Sequence, residues 1–406
     1  MDTLSTKPCA PKRVLLLGFG SVGQHYVLLL LAKSRQRPRP ELCVTALSDS
    51  SGGIFCAAGL PLAAILSWKQ AGNQLNTFVG NQTSMTYYTD SLQMVQASAQ
   101  VGDIVLDATP VNLTDGGIGM SCCRWAAQHG VHLVLANKAP LVLNYQQLMR
   151  YSLQEPASFI EFSGTVCGGL PVINIGRRDL SCCARLDLVQ GIFNSTSNYI
   201  LSRMASGEAP EVALANAREV GIAEADASLD LEGFDTANKL VIICNAVLDI
   251  PVTLREVERE GMTQITAREV EAAGLRGEVY RLVATAERDL THPVHCHAET
   301  TDLHQGEQEN RTERVEESEV RDTEGKREEE RRRQHQCAGW KLSVRPTLVP
   351  TASFFGQCVD TDMCAVLESD EFETISLKTN EKGVFPTAAA MMRDCCTIIK
   401  KSVGSY

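Results

Sequence analysis

The first third of the chain alternates short apolar runs with amphipathic stretches of helical length. Apolar runs that end at glycine or acidic residues predict buried strands, and stretches with helical periodicity predict helices. Strands are predicted at residues 13–17, 42–47, 103–107 and 131–135, and helices at residues 21–33 and 122–129. Because strands and helices alternate, we predict an α/β fold with a Rossmann-type doubly wound parallel sheet over roughly residues 1–145.

The remainder of the chain carries the same two kinds of pattern and contains no internal repeat. Later strands are predicted at residues 185–193 and 373–378, and helices at residues 197–205, 208–220, 233–247 and 388–400. The sequence between the predicted elements has an ordinary composition, with one exception.

The exception is residues 286–336, which contain almost no large apolar side chains. This stretch holds fifteen acidic and nine basic residues and supplies −6 of the net charge of −11. Such a composition cannot bury enough surface to offset the entropy lost on ordering. We interpret it as a solvated, disordered insertion; a charged helix that binds a partner is the other interpretation. His292, His295, Cys296 and His297 match no usual zinc spacing, so the sequence identifies no metal ligands.

The composition is that of a globular, intracellular protein. Of the 406 residues, 44% are hydrophobic and 21% charged, which excludes collagen-like and fully disordered classes. A net charge of −11 gives no general attraction to nucleic acid or anionic membranes, so neither is an expected partner. The fifteen cysteines are scattered, without a CxxC pair, as in a reducing compartment. The sequence shows no signal core and no membrane span, and we expect a cytoplasmic protein.

A glycine motif follows the first predicted strand and opens the first predicted helix. It matches GxGxxG and comprises Gly18, Phe19, Gly20, Ser21, Val22 and Gly23. In this context the first glycine permits a tight turn, the second lets the backbone approach a pyrophosphate, and the third allows the helix to pack closely on the strand. The free N–H groups at the start of the helix stabilise phosphates. The motif therefore predicts a dinucleotide-binding site.

Two further residues fit such a site. Asp49 follows the second strand, where an acid usually bonds the ribose 2′-hydroxyl and disfavours a 2′-phosphate, so the sequence favours NAD over NADP. The other interpretation of Asp49 is that it only caps a turn. Thr109 follows a later strand, at the position that normally lines the nicotinamide side of the site.

Charged residues at two places have the chemistry of a catalytic site. Lys138 follows the strand at residues 131–135 and so lies at the carboxyl edge of the sheet, where open α/β folds bind ligands. Asp235 and Lys239 are four residues apart and share one face of a helix that runs into apolar sequence. A lysine there needs a partner, and a pKa set by burial and an aspartate suits a general acid. A solvated loop lysine and a surface ion pair are the competing interpretations.

Together with the glycine motif, several segments resemble homoserine dehydrogenases, which interconvert L-homoserine and L-aspartate 4-semialdehyde with a nicotinamide cofactor. The matching segments, spread over most of the chain outside the charged insertion, are residues 18–23, 48–50, 136–138, 165–171, 191–201, 224–239 and 385–388. The nucleotide motif alone is generic. Residues 191–201 and the Glu-x-Asp…Gly-x-Asp-x-x-x-Lys block are specific to the family.

The resemblance implies roles for individual residues. Lys239 is the general acid that protonates the aldehyde oxygen, Asp235 holds that lysine, and Lys138 lies against cofactor and substrate. The implied substrate contacts are Glu224, Asp235, Thr196 and Gly221. The implied cofactor contacts, besides the glycine motif, are Asp49, Thr109, Lys138, Gly221 and Gly383. The cofactor is accordingly NAD or NADP.

Three segments depart from the family pattern. Ser163 replaces the glutamate of a loop, here residues 163–169, that binds a monovalent cation in the family; this removes the only charged ligand and makes the cation doubtful. Of a glycine-rich loop that approaches the nicotinamide in the family, only Gly383 survives, and we expect Glu381 and Lys382 to change the fit of the cofactor. Ser195 adds a side chain where the family has glycine, which narrows the predicted cleft.

These observations predict a homodimeric, monofunctional enzyme in four segments. They are a dinucleotide-binding domain (residues 1–145), an α+β catalytic and dimerisation domain (146–285), the insertion (286–336), and a C-terminal segment that completes both domains (337–406). We see no kinase-like segment before the glycine motif and no room for a C-terminal regulatory domain, and expect little feedback control. Two other functions stay open: a dehydrogenase of another small amino-acid aldehyde, and a non-catalytic nucleotide-binding protein.

Overall fold

The computed structural model describes residues 11–33, 42–78, 84–223, 226–289 and 339–402. The strands are β1 (Lys12–Leu17), β2 (Leu42–Asp49), β3 (Gly52–Phe55), β4 (Thr86–Tyr88), β5 (Ile104–Asp107), β6 (His132–Leu135), β7 (Ile160–Glu161), β8 (Leu186–Ile192), β9 (Glu258–Arg259), β10 (Glu278–Arg288), β11 (Trp340–Pro350), β12 (Asp362–Ser369) and β13 (Glu373–Asn380). The helices are α1 (Ser21–Lys33), α2 (Leu62–Gln70), α3 (Ser91–Ser98), α4 (Gly117–Gln128), α5 (Ala139–Tyr151), α6 (Val172–Asn174), α7 (Ser195–Ala205), α8 (Pro210–Glu219), α9 (Ser228–Leu231), α10 (Phe234–Val247), α11 (Ala267–Leu275) and α12 (Phe385–Ser402).

Seven strands form the first sheet, in the order β4-β3-β2-β1-β5-β6-β7. Five of these strands are parallel to one another: β2, β1, β5, β6 and β7. At one edge, β3 pairs antiparallel with β2, and β4 pairs antiparallel with β3. Successive residues of β1 belong to two hydrophobic clusters, one on each face, so all four residues from Val14 to Leu17 are buried. A continuous apolar strand of this kind is typical of a parallel sheet covered on both sides. The predicted Rossmann-type sheet is confirmed.

Six strands form the second sheet, in the order β13-β12-β8-β10-β11-β9. Its pairs are antiparallel, apart from β9 beside β11. Helices α7, α10 and α11 pack against β10. This sheet with its helices is the α+β domain expected from the sequence.

The last helix returns the chain to the first sheet. Helix α12 packs against α1, β6 and β7. Its buried residues Ala388, Met391, Cys395 and Ile398 recur at helical spacing and form one apolar face. The C-terminal segment thus adds three strands to the second sheet and one helix to the first.

Several elements differ from their predicted extents. Helix α4 begins five residues earlier than predicted. Its N-cap, Gly116, has a left-handed backbone conformation, and glycines in the sequence here indicate a turn rather than the start of a helix. Helix α12 begins at Phe385 because Pro386 fits in the first turn, where no backbone N–H is needed. Strands β3, β4, β7 and β9 are too short to give a pattern. Strand β10 was not predicted because it contains a charged residue, Arg281, at a buried position. Strand β11 was not predicted because it contains two prolines.

The charged segment joins two strands that are paired up to its ends. Arg288 lies opposite Trp340, and the Asp289 N–H donates to the Gly339 carbonyl at 2.7 Å. Strand β10 therefore extends three residues into the range predicted as an insertion. Residues 290–338, with the His and Cys residues considered above as metal ligands, lie outside the described residues. Within the described ranges, no helix combines the length and apolar character needed to span a membrane.

Because the hairpin is paired to its tip, we predict that the charged segment is dispensable for folding. Replacing residues 290–338 by Asn-Gly provides a two-residue turn between strands already in register. Shortening the loop lowers the entropic cost of closing it, so the free energy of unfolding should stay unchanged or rise by up to about 3 kcal/mol. Urea unfolding followed by circular dichroism measures this. A variant that fails to fold would show that the segment stabilises the hairpin.

Candidate active site

The glycine motif forms the turn between β1 and α1. Gly18 has φ +86°, and a Cβ there would lie 2.4 Å from the Ala108 carbonyl oxygen. A Cβ on Gly23 would lie 2.2 Å from the Gly18 carbonyl oxygen, whereas one on Gly20 would meet nothing within 4 Å. The first and third glycines are therefore required by packing, and the second faces open space. The Phe19 side chain packs in the core, so only its backbone faces this side.

Asp49 ends β2 at the same edge of the sheet. Its Oδ1 accepts hydrogen bonds from the Ser51 N–H at 2.8 Å and the Ser51 hydroxyl at 2.6 Å, and its Oδ2 pairs with Lys69 of α2. Burial raises the pKa of Asp49, but the hydrogen bonds from Lys69 and Ser51 outweigh burial and lower the pKa below its usual value. The carboxylate is ionised and does cap a turn; a contact with a ribose stays a prediction.

A buried network joins the ends of β5 and β6. Asp107 Oδ1 accepts from the Thr109 N–H at 2.9 Å and the Thr109 hydroxyl at 2.6 Å, and its Oδ2 accepts from Asn137 Nδ2 at 3.2 Å. Asn137 Oδ1 in turn accepts the Ala139 N–H at 2.9 Å, at the start of α5. Burial raises the pKa of Asp107, and the donated hydrogen bonds offset this only in part. The network fixes the predicted nicotinamide-side Thr109 relative to Lys138.

Lys138, Asp235 and Lys239 form one cluster, as the sequence predicts. Lys138 Nζ pairs with Asp235 Oδ1, and Lys239 Nζ pairs with Asp235 Oδ2 at 2.8 Å. All three side chains are only 12–18% exposed. Lys138 comes from the end of β6 and the other two from the first turns of α10, so the cluster joins the two domains. The competing interpretations, a solvated loop lysine and a surface ion pair, do not describe this arrangement.

The mutual charges set the protonation of the cluster. Burial would raise the pKa of Asp235, but the two lysines hold that pKa well below its usual range. Burial would lower the pKa of Lys239, but the attraction of Asp235 outweighs it and raises that pKa. At neutral pH, Lys239 is therefore an ammonium group and Asp235 a carboxylate.

Residues that the sequence did not single out complete the cluster. The Phe193 carbonyl oxygen, at the end of β8, accepts a hydrogen bond from Lys239 Nζ at 2.5 Å. Asn194 Nδ2 donates to Asp235 Oδ2 at 2.9 Å and to Asp230 Oδ1 at 2.7 Å, while its Oδ1 caps α7. Burial and the charge of Asp235 raise the pKa of Asp230. Asn194 lies in the family-specific segment of residues 191–201, and its helix-capping position is a second signal in the sequence that points to it.

Three of the four predicted substrate-binding residues, Thr196, Gly221 and Asp235, lie within the described residues. The Thr196 hydroxyl donates to the Ile222 carbonyl at 3.1 Å, which joins the start of α7 to the segment after Gly221. Gly221 has φ +73°, and a Cβ there would meet nothing within 4 Å. Glu224 lies outside the described residues. Gly383 has φ +69° and also faces open space.

A second wall of the cluster is formed by the loop of residues 163–170. The Cys167 thiol donates to the Phe193 carbonyl at 3.4 Å, so it shares this acceptor with Lys239. Burial raises the pKa of Cys167 to about 12, and the thiol stays protonated. Glu381, and not Gly383, reaches this loop: its Oε1 accepts the Gly169 N–H at 2.5 Å.

The same loop does not fit a monovalent cation. Ser163 donates its N–H and its hydroxyl to the two oxygens of Asp394, at 2.8 and 2.6 Å. Arg393 Nη2 donates to Ser163 Oγ at 2.8 Å, and a guanidinium at this distance repels a second cation. In the described part of the chain, no group of three or more His, Cys, Asp or Glu side chains is placed to hold a metal ion.

Two family models match the sequence. The homoserine dehydrogenase model matches residues 171–396, and the glutamate/leucine/phenylalanine/valine dehydrogenase model matches residues 1–114. The second match contains the glycine turn and the first strands of the parallel sheet. These elements are common to enzymes that bind dinucleotides, so the two matches agree with each other.

Similar proteins carry the same family name. The homoserine dehydrogenase of Methanocaldococcus jannaschii is 31% identical over 273 residues, 66% of this chain and 79% of that one. The NAD(+)-dependent homoserine dehydrogenase of Pseudomonas canavaninivorans is 29% identical over 282 residues, 68% of this chain and 78% of that one. The crystal structure of a putative homoserine dehydrogenase from Archaeoglobus fulgidus matches with a TM-score of 0.72 at 28% identity, over 95% of this chain and 99% of that one.

A glycine turn at the carboxyl edge of a Rossmann-type sheet, beside a buried lysine–aspartate–lysine cluster, defines an NAD(P)-dependent oxidoreductase. Within this class, the chain belongs to the homoserine dehydrogenase family. The resemblance identified from the sequence is thereby confirmed.

The glycine turn allows its structural and binding roles to be separated. We predict that Gly23→Ala lowers the free energy of unfolding by about 2 kcal/mol, because its Cβ would overlap the Gly18 carbonyl. Gly20→Ala should change that free energy by less than about 0.5 kcal/mol. It should nevertheless raise the Kd for a nicotinamide dinucleotide about tenfold, by keeping the pyrophosphate from the backbone. Urea unfolding and calorimetric titration measure the two effects; equal stability losses would contradict this assignment.

Proposed function

We propose that this protein catalyses the NAD(P)-dependent interconversion of L-homoserine and L-aspartate 4-semialdehyde, a step of aspartate-family amino-acid biosynthesis. The observation that carries the proposal is the pairing of Asp235 with both Lys138 and Lys239 at the edge of the nucleotide-binding sheet. Family membership favours this reaction over the two other functions considered above.

Lys239 has the protonation state of a general acid. A bound nicotinamide supplies or accepts the hydride. Lys239, an ammonium group at neutral pH, donates a proton to the aldehyde oxygen during reduction. In the oxidation of homoserine the lysine has to accept that proton, so the raised pKa predicts that oxidation is fastest at alkaline pH. Asp235 and the Phe193 carbonyl orient the Nζ atom throughout.

The residues around this lysine are assigned to substrate and cofactor, with Gly221 and Lys138 proposed to contact both. Glu224, Asp235, Thr196 and Gly221 are proposed to bind the amino acid, whose ammonium group is attracted by carboxylates. Lys138 and Thr109 are proposed to lie against the nicotinamide side, because the Asp107 network holds both at the carboxyl edge of the sheet.

The cofactor is NAD or NADP. Asp49 favours NAD because a carboxylate at the end of β2 repels a 2′-phosphate. Lys69, which pairs with Asp49, offsets part of that repulsion. The glycine turn leaves the backbone at Gly20 open to a pyrophosphate.

A homodimer and a cytoplasmic location are proposed on more general grounds. The family resemblance implies a dimer formed through the second sheet. The cysteines within the described residues form no disulfide bonds, as expected in a reducing compartment. Sedimentation of the purified protein and localisation of a tagged copy test these two proposals.

The test of the proposed function is homoserine-dependent reduction of each cofactor at alkaline pH, for wild type and Lys239→Ala. We expect Lys239→Ala to lower kcat by about 10²–10⁴-fold, the contribution of a general acid, while the Kd for cofactor changes less than about twofold. Lys400→Ala, which removes an exposed lysine of α12, is the matched control and should behave as wild type. A wild-type protein without homoserine-dependent turnover, or an unimpaired Lys239→Ala variant, would contradict the proposal.

A further inference from the structure

The loop of residues 163–170 is held from both ends by one distant segment of the chain. Its first residue contacts Asp394 in helix α12, and its penultimate residue, Gly169, contacts Glu381 after strand β13. Between these two contacts, Cys167 lies against the carbonyl of Phe193 that orients Lys239. The position of the loop therefore bears on the position of the proposed general acid.

The contact at Ser163 is buried and uses both carboxylate oxygens. Asp394 is fully buried and accepts the Ser163 N–H at 2.8 Å and the Ser163 hydroxyl at 2.6 Å. Burial raises the pKa of Asp394 to about 6, although the two hydrogen bonds from Ser163 lower it. Arg393 donates to the same hydroxyl at 2.8 Å and supplies a balancing positive charge. Glu161, which pairs with Arg178 and Lys401, is the other acid of this region.

The contact at Gly169 is possible because residues 168 and 169 of the loop are both glycines. Glu381 Oε1 accepts the Gly169 N–H at 2.5 Å. A Cβ on Gly168 would lie 2.6 Å from Glu381 Oε2, and one on Gly169 would lie 2.6 Å from Oε1. Burial raises the pKa of Glu381, and the N–H of Gly169 and the charge of Lys239 offset part of this rise. The carboxylate thus occupies the space that two glycines leave, on the side of the catalytic cluster.

In this chain the two ends of the loop are held by the carboxylates of Asp394 and Glu381. The family resemblance implies a loop with a glutamate at the position of Ser163 and a bound monovalent cation. Here the N–H groups of Ser163 and Gly169 donate to carboxylates. The guanidinium of Arg393 contacts Ser163 and would repel a cation bound there. We propose that Asp394 and Glu381 are positioning residues that clamp the loop of residues 163–170 beside Lys239, so that the enzyme works without a monovalent cation.

Two measurements that need no turnover test the clamp directly. In hydrogen exchange followed by mass spectrometry, Glu381→Ala should exchange amides of residues 163–170 about tenfold faster than wild type, the effect of one lost hydrogen bond to a charged acceptor. Lys382→Ala, the exposed neighbour, is the matched control and should leave this exchange unchanged. Asp394→Asn keeps the side-chain volume and should loosen the Ser163 end in the same way. Unchanged exchange in Glu381→Ala would overturn the proposal.

The cation is tested on the wild-type protein. At constant ionic strength, NaCl, KCl and tetramethylammonium chloride should give thermal unfolding midpoints within about 1 °C of each other, because only specific binding to the folded state separates them. A midpoint that rises saturably with sodium or potassium alone would overturn the proposal.

The kinetic arm rests on the proposed function. With homoserine as substrate, Glu381→Ala should lower kcat about tenfold while KM changes less than about twofold, and the wild-type rate should not depend on the cation. A Glu381→Ala enzyme with wild-type kcat would overturn the positioning role. If the wild-type protein does not turn over homoserine, the exchange and midpoint measurements still decide whether the clamp exists, so the two failures are distinguishable.

Discussion

The site depends on one buried carboxylate, Asp235, held between two lysines. A lone carboxylate at this depth would lose its hydration without compensation, and so would a lone lysine. Together, the carboxylate and the two ammonium groups compensate each other's charge, and Asn194 donates a further hydrogen bond to Asp235. Lys138 and Asp235 are 97 positions apart in the chain, so their pairing ties the edge of the first sheet to the helices of the second. The same contact that orients the proposed general acid therefore also joins the two domains.

The surrounding structure can be understood as support for that contact. Asp107 and Asn137 fix the turn that carries Lys138, and helices α5 and α10 pack together behind it, with Gln146 bonded to Asn245. From the opposite side, the Phe193 carbonyl holds Lys239. Each support is a short-range hydrogen bond between elements distant in sequence, so small displacements of either sheet change the geometry of the cluster.

The parallel sheet, the glycine turn and the Asp235–Lys239 pair were predictable because each depends on local pattern. A run such as Val14 to Leu17 between turn residues indicates a buried strand, and a spacing of four places two side chains on one helix face. In the second sheet, β8 and β13 were predicted, but β10 was missed because its buried Arg281 is bonded to backbone carbonyls that no local pattern reveals. Sequence alone also could not show that Glu381 fits against Gly168 and Gly169, since this contact exists only after the C-terminal segment returns to the catalytic domain.

Asp235 stabilises the site by its charge, and the free energy of urea unfolding at pH 7 tests this role most directly. Two neighbouring aspartates provide the comparison, since the pKa of Asp235 is lowered and that of Asp230 is raised in the folded protein. Asp235→Asn leaves two buried lysines without their partner and should lower the free energy of unfolding by about 3 kcal/mol. That loss should persist above about pH 4 and shrink below it, because a depressed pKa contributes its full stability only above the pKa of the unfolded carboxyl and loses it as the pH falls toward the folded pKa. Asp230→Asn should cost less than about 1 kcal/mol. Equal losses for the two variants, or none for Asp235→Asn, would contradict this account.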